Sequence, residues 1–226
     1  MTNDPLDLEE WRTYEALVHQ SIVAAEQHLE VPAGTISSIP NDPDFIAIVK
    51  MYAVIEPILN ELIASRPPQG TFPALPIPQS EVESYRTFVT ALNVDGGRTG
   101  KLKLAEGLGL LTKTRVAFIR GVAQVRNRYA HNVKNMHRSL CDMLLEVERN
   151  NASIVEHLTG IQAPAPDFIG SQDDRDISDL LKRFMYFRLA DYLSEALHTL
   201  QPPPPPPNEG GLLGMLGTPP PTIENK

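Results

Sequence analysis

In the run Val125-Arg126-Asn127-Arg128-Tyr129-Ala130-His131-Asn132, three side chains have the chemistry to act on a phosphodiester. An imidazole such as His131 changes protonation state near neutral pH, so it can take or give a proton. A guanidinium such as Arg126 can grip a phosphate through two parallel N–H bonds. The Asn127 amide can hydrogen-bond the imidazole or a ribose hydroxyl. Together these groups form a kit for phosphodiester cleavage without a metal.

Spacing decides which of them meet. A helix advances about 100° per residue, and Ile119, Val122, Val125 and Tyr129 mark its apolar stripe. Asn127 and His131 then share the opposite, polar side as i and i+4 neighbours. Arg126 lies at the edge of the stripe, close enough to swing toward His131 without being forced to. Arg128 points away from the core. A histidine on a polar face is most often simply solvated, and spacing alone leaves that reading ahead.

Periodicity places this run in an all-helical chain. The apolar pattern predicts helices over about 6–29, 43–65, 80–92, 101–108, 114–148 and 174–200. Asp42 reads as an N-cap with Pro43 at the first helical position. Ser80 and Glu83 read as a capping box. Pro57 should kink or split the second helix, which is apolar on several sides and so belongs in the middle of a bundle. Thr112 or Thr114 caps the motif helix, whose stripe runs on through Val133, Met136, Leu140 and Met143. Gly121 weakens it slightly. In the last helix Leu180, Leu181, Phe184 and Phe187 read as core, with Arg188 near that face. The expected organisation is a helical domain over 1–200 and a proline-rich tail over 201–226. That tail has too little apolar surface to fold alone. Its six-proline run reads as a stiff spacer rather than a ligand for an aromatic groove.

Composition sets the outer bounds. The 226 residues are 42% hydrophobic and 21% charged, the balance of an ordinary globular protein. No apolar run is long and clean enough for a membrane span. The acidic start MTNDPLDLEE lacks the pattern of a secretory signal. The single cysteine, Cys141, forms no internal disulfide and reads as a structural, at least partly buried thiol. These features point to the cytoplasm. His19, His28, His137, His157 and His198 form no ligand-spaced cluster, and the glycines form no phosphate-binding loop, so neither metal nor cofactor is expected. The net charge is −8, yet residues 98–140 hold ten bases and one acid. Such asymmetry can concentrate positive potential on one surface. Arg120, Arg128 and Lys134 in that stretch are candidate RNA-binding residues.

The Arg126-Asn127-Arg128-Tyr129-Ala130-His131 run resembles the Arg-x4–6-His signature of the HEPN superfamily, in which a polar residue commonly follows the arginine. KLKLAEGLGLL before the motif is similar to the segment preceding it in mannitol-repressor-like bacterial branches, and the apolar helix over 45–63 is similar to the family's early core helix. The resemblance spans about 43–148. It implies a bundle of about five to seven helices that dimerises, with two motif helices meeting across a cleft. It also implies a metal-independent endoribonuclease, often a toxin or antiviral effector. By position, His131 is then the general acid or base, Arg126 holds the phosphate and Asn127 orients one of them. Cleavage by a ribose 2′-hydroxyl needs one proton acceptor and one donor, and a two-fold axis supplies the second histidine. The chief alternative within the resemblance is a non-catalytic regulator or interaction protein like the mannitol repressor group, with the motif kept as structure, and a third reading is nucleotide binding without hydrolysis. A catalytic role requires both His131 rings exposed to one shared basic cleft wide enough for a strand, whereas a structural role predicts His131 buried and hydrogen-bonded, or far from its symmetry mate.

Overall fold

The computed structural model describes residues 8–66, 78–97, 99–148, 154–160 and 174–201. Residues 67–77, most of RPPQGTFPALPIP, whose five prolines predict an extended loop, lie outside them, as do Arg98 and the tail over 202–226. Among the described residues there are eight α-helices and no strand. They are α1 (Leu8–His28), α2 (Asp44–Ala64), α3 (Gln79–Ala91), α4 (Lys101–Gly107), α5 (Lys113–His131), α6 (Leu140–Glu148), α7 (Ile154–Thr159) and α8 (Asp174–Leu200).

The greasiest helix sits in the middle. α2 buries Ala47, Ile48, Met51, Val54, Ile55, Ile58, Leu59, Leu62 and Ile63, and packs against α3, α4, α5 and α8. Only a helix surrounded by others can hide that many positions. α8 lies along both α1 and α2, where the buried Tyr192 hydroxyl donates to the Ile55 carbonyl at 3.4 Å. Phe187 on α8 meets Trp11 and Tyr14 of α1 edge-on, with ring centroids 5.6 Å apart in each pair.

Several helix boundaries depart from the sequence reading. α2 runs unbroken through Pro57. The carbonyl that loses its partner there belongs to Ala53, which is exposed and so open to water. Pro43 is the N-cap of α2, not its first residue. Asp42 is drawn away by Lys50 at 2.7 Å. Asp44 instead accepts the Leu140 N–H at 2.6 Å and Lys182 at 3.0 Å. No capping box forms in α3, because the helix starts at Gln79 behind Pro78 and leaves Ser80 inside its first turn. Leu180 is exposed rather than core.

The largest departure is in the motif helix. Thr112 caps it as expected, accepting the Arg115 N–H at 3.4 Å. The helix ends at His131 rather than near 148. Asn132 takes an extended backbone and its side chain accepts the Lys134 N–H at 3.1 Å. Asn135 donates to the Arg128 carbonyl at 2.9 Å, satisfying a helix-terminal acceptor. Two asparagines thus offer the backbone a local alternative to helix. A five-residue 3-10 turn (Val133–His137) follows, and α6 begins at Leu140 with Ser139 accepting the Asp142 N–H at 3.1 Å. The apolar spacing continues across the break, but Val133 is 71% exposed. This break and the short α7 account for eight helices among the described residues, where periodicity predicts six and the resemblance implies about five to seven.

Candidate functional site: the C-terminal end of α5

The stripe of α5 holds its polar side still. Val116, Phe118, Ile119, Val122, Val125 and Tyr129 are buried. Tyr129 has its ring against Phe45 of α2, centroids 5.7 Å apart, and its hydroxyl donates to the Arg138 carbonyl at 3.3 Å. Burial pushes its phenol far above the usual range, so it stays neutral. Gly121 has a packing role the sequence did not reveal: a Cβ there would lie 2.8 Å from Leu158 of α7. Helices α5 and α7 meet at that point because no side chain intervenes.

His131 is the last helical residue of α5 and is exposed. It has no hydrogen-bond or ion-pair partner among the described residues. Asn127, one turn earlier, is also exposed. Arg126 is half-buried and turned toward α2. Its Nη1 donates to Asn127 Oδ1 at 3.0 Å, and its guanidinium carbon lies 5.0 Å from the centre of the Tyr52 ring. That is cation–π range. Arg126 and Asn127 therefore stand together, while Arg126 and His131 share no hydrogen bond.

Behind Arg126 lies a polar chain that crosses three helices. Glu56 follows Tyr52 by one turn of α2, and its carboxylate lies beside the Tyr52 hydroxyl. Burial and then the Glu56 charge raise the Tyr52 phenol above its ordinary value. The other side of Glu56 receives Lys101 Nζ of α4 at 2.8 Å. Lys101 is completely buried. Sequence reasoning missed all three of these residues. Tyr52 and Glu56 left one signal, a polar i, i+4 pair on an otherwise apolar helix. Lys101 left none, since nothing in KLKLAEG separates it from the exposed Lys103.

Many bases of the basic stretch are paired, most of them with carboxylates from outside it. Arg120 pairs with Asp95 at 3.2 Å. Arg128 and Arg138 share Glu146 at 3.0 and 2.5 Å. Lys103 pairs with Glu106 at 2.9 Å, and Arg115 with Glu195. Lys134 is exposed, with no carboxylate partner among the described residues. A groove of about 760 Å³ opens beyond the helix break, lined by His137, Arg138, Lys182, Arg183, Asp44 and Asp179 among others. It does not include Arg126, Asn127 or His131.

Among the described residues, no three His, Cys, Asp or Glu side chains gather so as to hold a metal ion, and no helix is long and apolar enough to cross a membrane. Comparison of the chain with protein-family models, with curated proteins and with solved structures finds no match to any of them.

Proposed function

We propose that this protein is a metal-independent endoribonuclease of the HEPN type, acting as a homodimer with its two motifs facing one cleft. The exposed imidazole of His131, without a partner among the described residues and one helical turn from the Arg126–Asn127 pair, carries the proposal. In this reading the phosphate of an RNA strand is held by Arg126. One His131 removes the proton of the ribose 2′-hydroxyl, and the partner's His131 protonates the departing 5′-oxygen. The products are a 2′,3′-cyclic phosphate and a 5′-hydroxyl. RNA is required because only RNA carries the attacking hydroxyl. Arg120, Arg128 and Lys134 would contact the strand, and a cytoplasmic toxin or antiviral effector held by an antitoxin or regulatory protein is the setting this chemistry suits.

The rival is a non-catalytic regulator or interaction protein of the same fold. One observation favours it: Arg126 is already engaged by Tyr52 and Asn127, as a structural arginine would be. Incubating the purified protein with RNA in excess chelator, alongside His131→Ala and a measurement of solution mass, separates the two. The proposal requires a dimer whose cleavage is lost with His131. A strict monomer, or cleavage equal in both proteins, removes His131 from any such mechanism.

A further inference from the structure

The buried Lys101 calls for a physical reason. Bringing an ammonium and a carboxylate out of water costs several kcal/mol per ion, and a well-packed apolar residue in their place is often as stable or more so. Lys101 is nonetheless completely buried, and its Nζ meets Glu56 at 2.8 Å. The side chain of Glu56 is 36% exposed, so the pair runs from the core out to the surface. One turn of α2 from Glu56, within reach of its charge, stands Tyr52, on whose ring the Arg126 guanidinium rests. Stability alone does not explain a charge placed there, whereas fixing the geometry of what lies at the other end does.

We propose that Lys101, Glu56 and Tyr52 are positioning residues: the buried ion pair fixes the Tyr52 ring, and the ring seats the Arg126 guanidinium beside Asn127 so that its outer face meets a phosphate. This rests on the endoribonuclease reading for its consequence, but not for its geometry. Arg126 has a long, flexible side chain at the edge of the apolar stripe. Left free, it would sample many directions, and ordering it on substrate would cost conformational entropy. The Tyr52 face and the Asn127 amide hold it from two sides before substrate arrives. Preorganised charge of this kind acts most strongly on a transition state. Displacing a positioned group by about 1 Å can cost on the order of 100-fold in rate.

The test uses the full chain and two readouts. The first is the Arg126 side-chain Nε–H resonance by NMR, assigned by its loss in Arg126→Lys. Over an aromatic face it is shifted upfield by the ring current. The proposal expects that shift to collapse in Lys101→Met, which keeps the wild-type melting temperature or exceeds it, and in Glu56→Gln, which melts lower because it leaves the buried ammonium without its carboxylate. If the resonance stays where it was in both, the device is refuted. Should either single variant fail to fold, the double variant Lys101→Met/Glu56→Gln, which leaves no buried charge unpaired, decides alone. The second readout is cleavage of an RNA oligonucleotide in chelator. The expected result is a fall of roughly 10- to 100-fold in kcat for Lys101→Met and Tyr52→Leu, with no further fall when either is combined with Arg126→Ala. Independent, additive losses in the double variants would overturn the idea that these residues act through Arg126. If the resonance moves as expected and the wild-type protein cleaves nothing, the ribonuclease reading fails and the seat for Arg126 stands.

Discussion

The guanidinium of Arg126 lies over the face of Tyr52, 5.0 Å from the ring centre, so the motif arginine is seated on the central helix of the bundle as well as bonded to Asn127 of its own. A lysine cannot reproduce this, because an ammonium lacks both the flat surface that stacks on the ring and the fork that grips a phosphate. Arg126→Lys is therefore expected to lose on the order of 10-fold or more in RNA cleavage despite keeping the charge. Steady-state kinetics on a single oligonucleotide checks this, and an unaltered rate would show that charge alone suffices.

Glu146 masks two arginines of the basic segment, receiving Arg128 at 3.0 Å and Arg138 at 2.5 Å. Glu146→Gln would release both for contact with phosphate. RNA affinity is expected to rise, and the slope of log K against log salt to steepen by about 1 to 2, near 0.7 for each added contact with a single strand. Fluorescence anisotropy across a salt series reads both quantities. An unchanged slope would place Arg128 and Arg138 off the path of the strand.

At Gly121 two effects compete. Alanine gains roughly 1 kcal/mol of helix propensity, but its Cβ would lie 2.8 Å from the Leu158 side chain, which is itself fully buried. Overpacking of this kind costs about 1–3 kcal/mol. Gly121→Ala is expected to lower unfolding free energy by about 1 kcal/mol net, and Leu158→Ala in the same chain to make the alanine neutral or favourable. Urea titrations of wild type, each single variant and the double variant would show it.

Acid should loosen the loop after α1. Glu26 is buried, and its carboxylate accepts the backbone N–H groups of Gly34, Ile36 and Ser37 at 3.0, 2.7 and 3.1 Å. Burial works against its charge, but the three N–H groups outweigh it and hold the carboxyl below its ordinary 4.5. A group whose pKa falls on folding stabilises above its unfolded pKa, and that stabilisation is lost as pH falls through the folded value. Glu26→Gln should therefore be less stable than wild type at neutral pH, with the gap closing below about pH 4.5. Thermal melts over that pH range report it, and a gap independent of pH would assign the loss to packing.

Periodicity made the helical architecture legible because most of the chain buries one stripe per helix. α8 falls where its apolar pattern placed it, and the expected central position of α2 followed from its being apolar on many sides. The end of the motif helix was not legible. Val133 and Met136 keep the helical spacing, yet Asn132 and Asn135 redirect the backbone through side-chain bonds that no apolar count registers. The candidate site was half legible. Arg126, Asn127 and His131 stand out by residue type. Their support does not, because Tyr52, Glu56 and Lys101 come from two other helices and meet only in the fold. The masking of the basic run was hidden for the same reason. Asp95, Glu146 and Glu195 reach it from loop, α6 and α8.

Product analysis in excess EDTA, comparing wild type with His131→Ala on one RNA oligonucleotide, tests the central claim most directly. The endoribonuclease reading predicts fragments ending in 2′,3′-cyclic phosphate from wild type and a fall of at least about 100-fold in the variant, the lower range for loss of a general acid–base group. Intact RNA with wild type, or the same fragments at the same rate from both proteins, would contradict it.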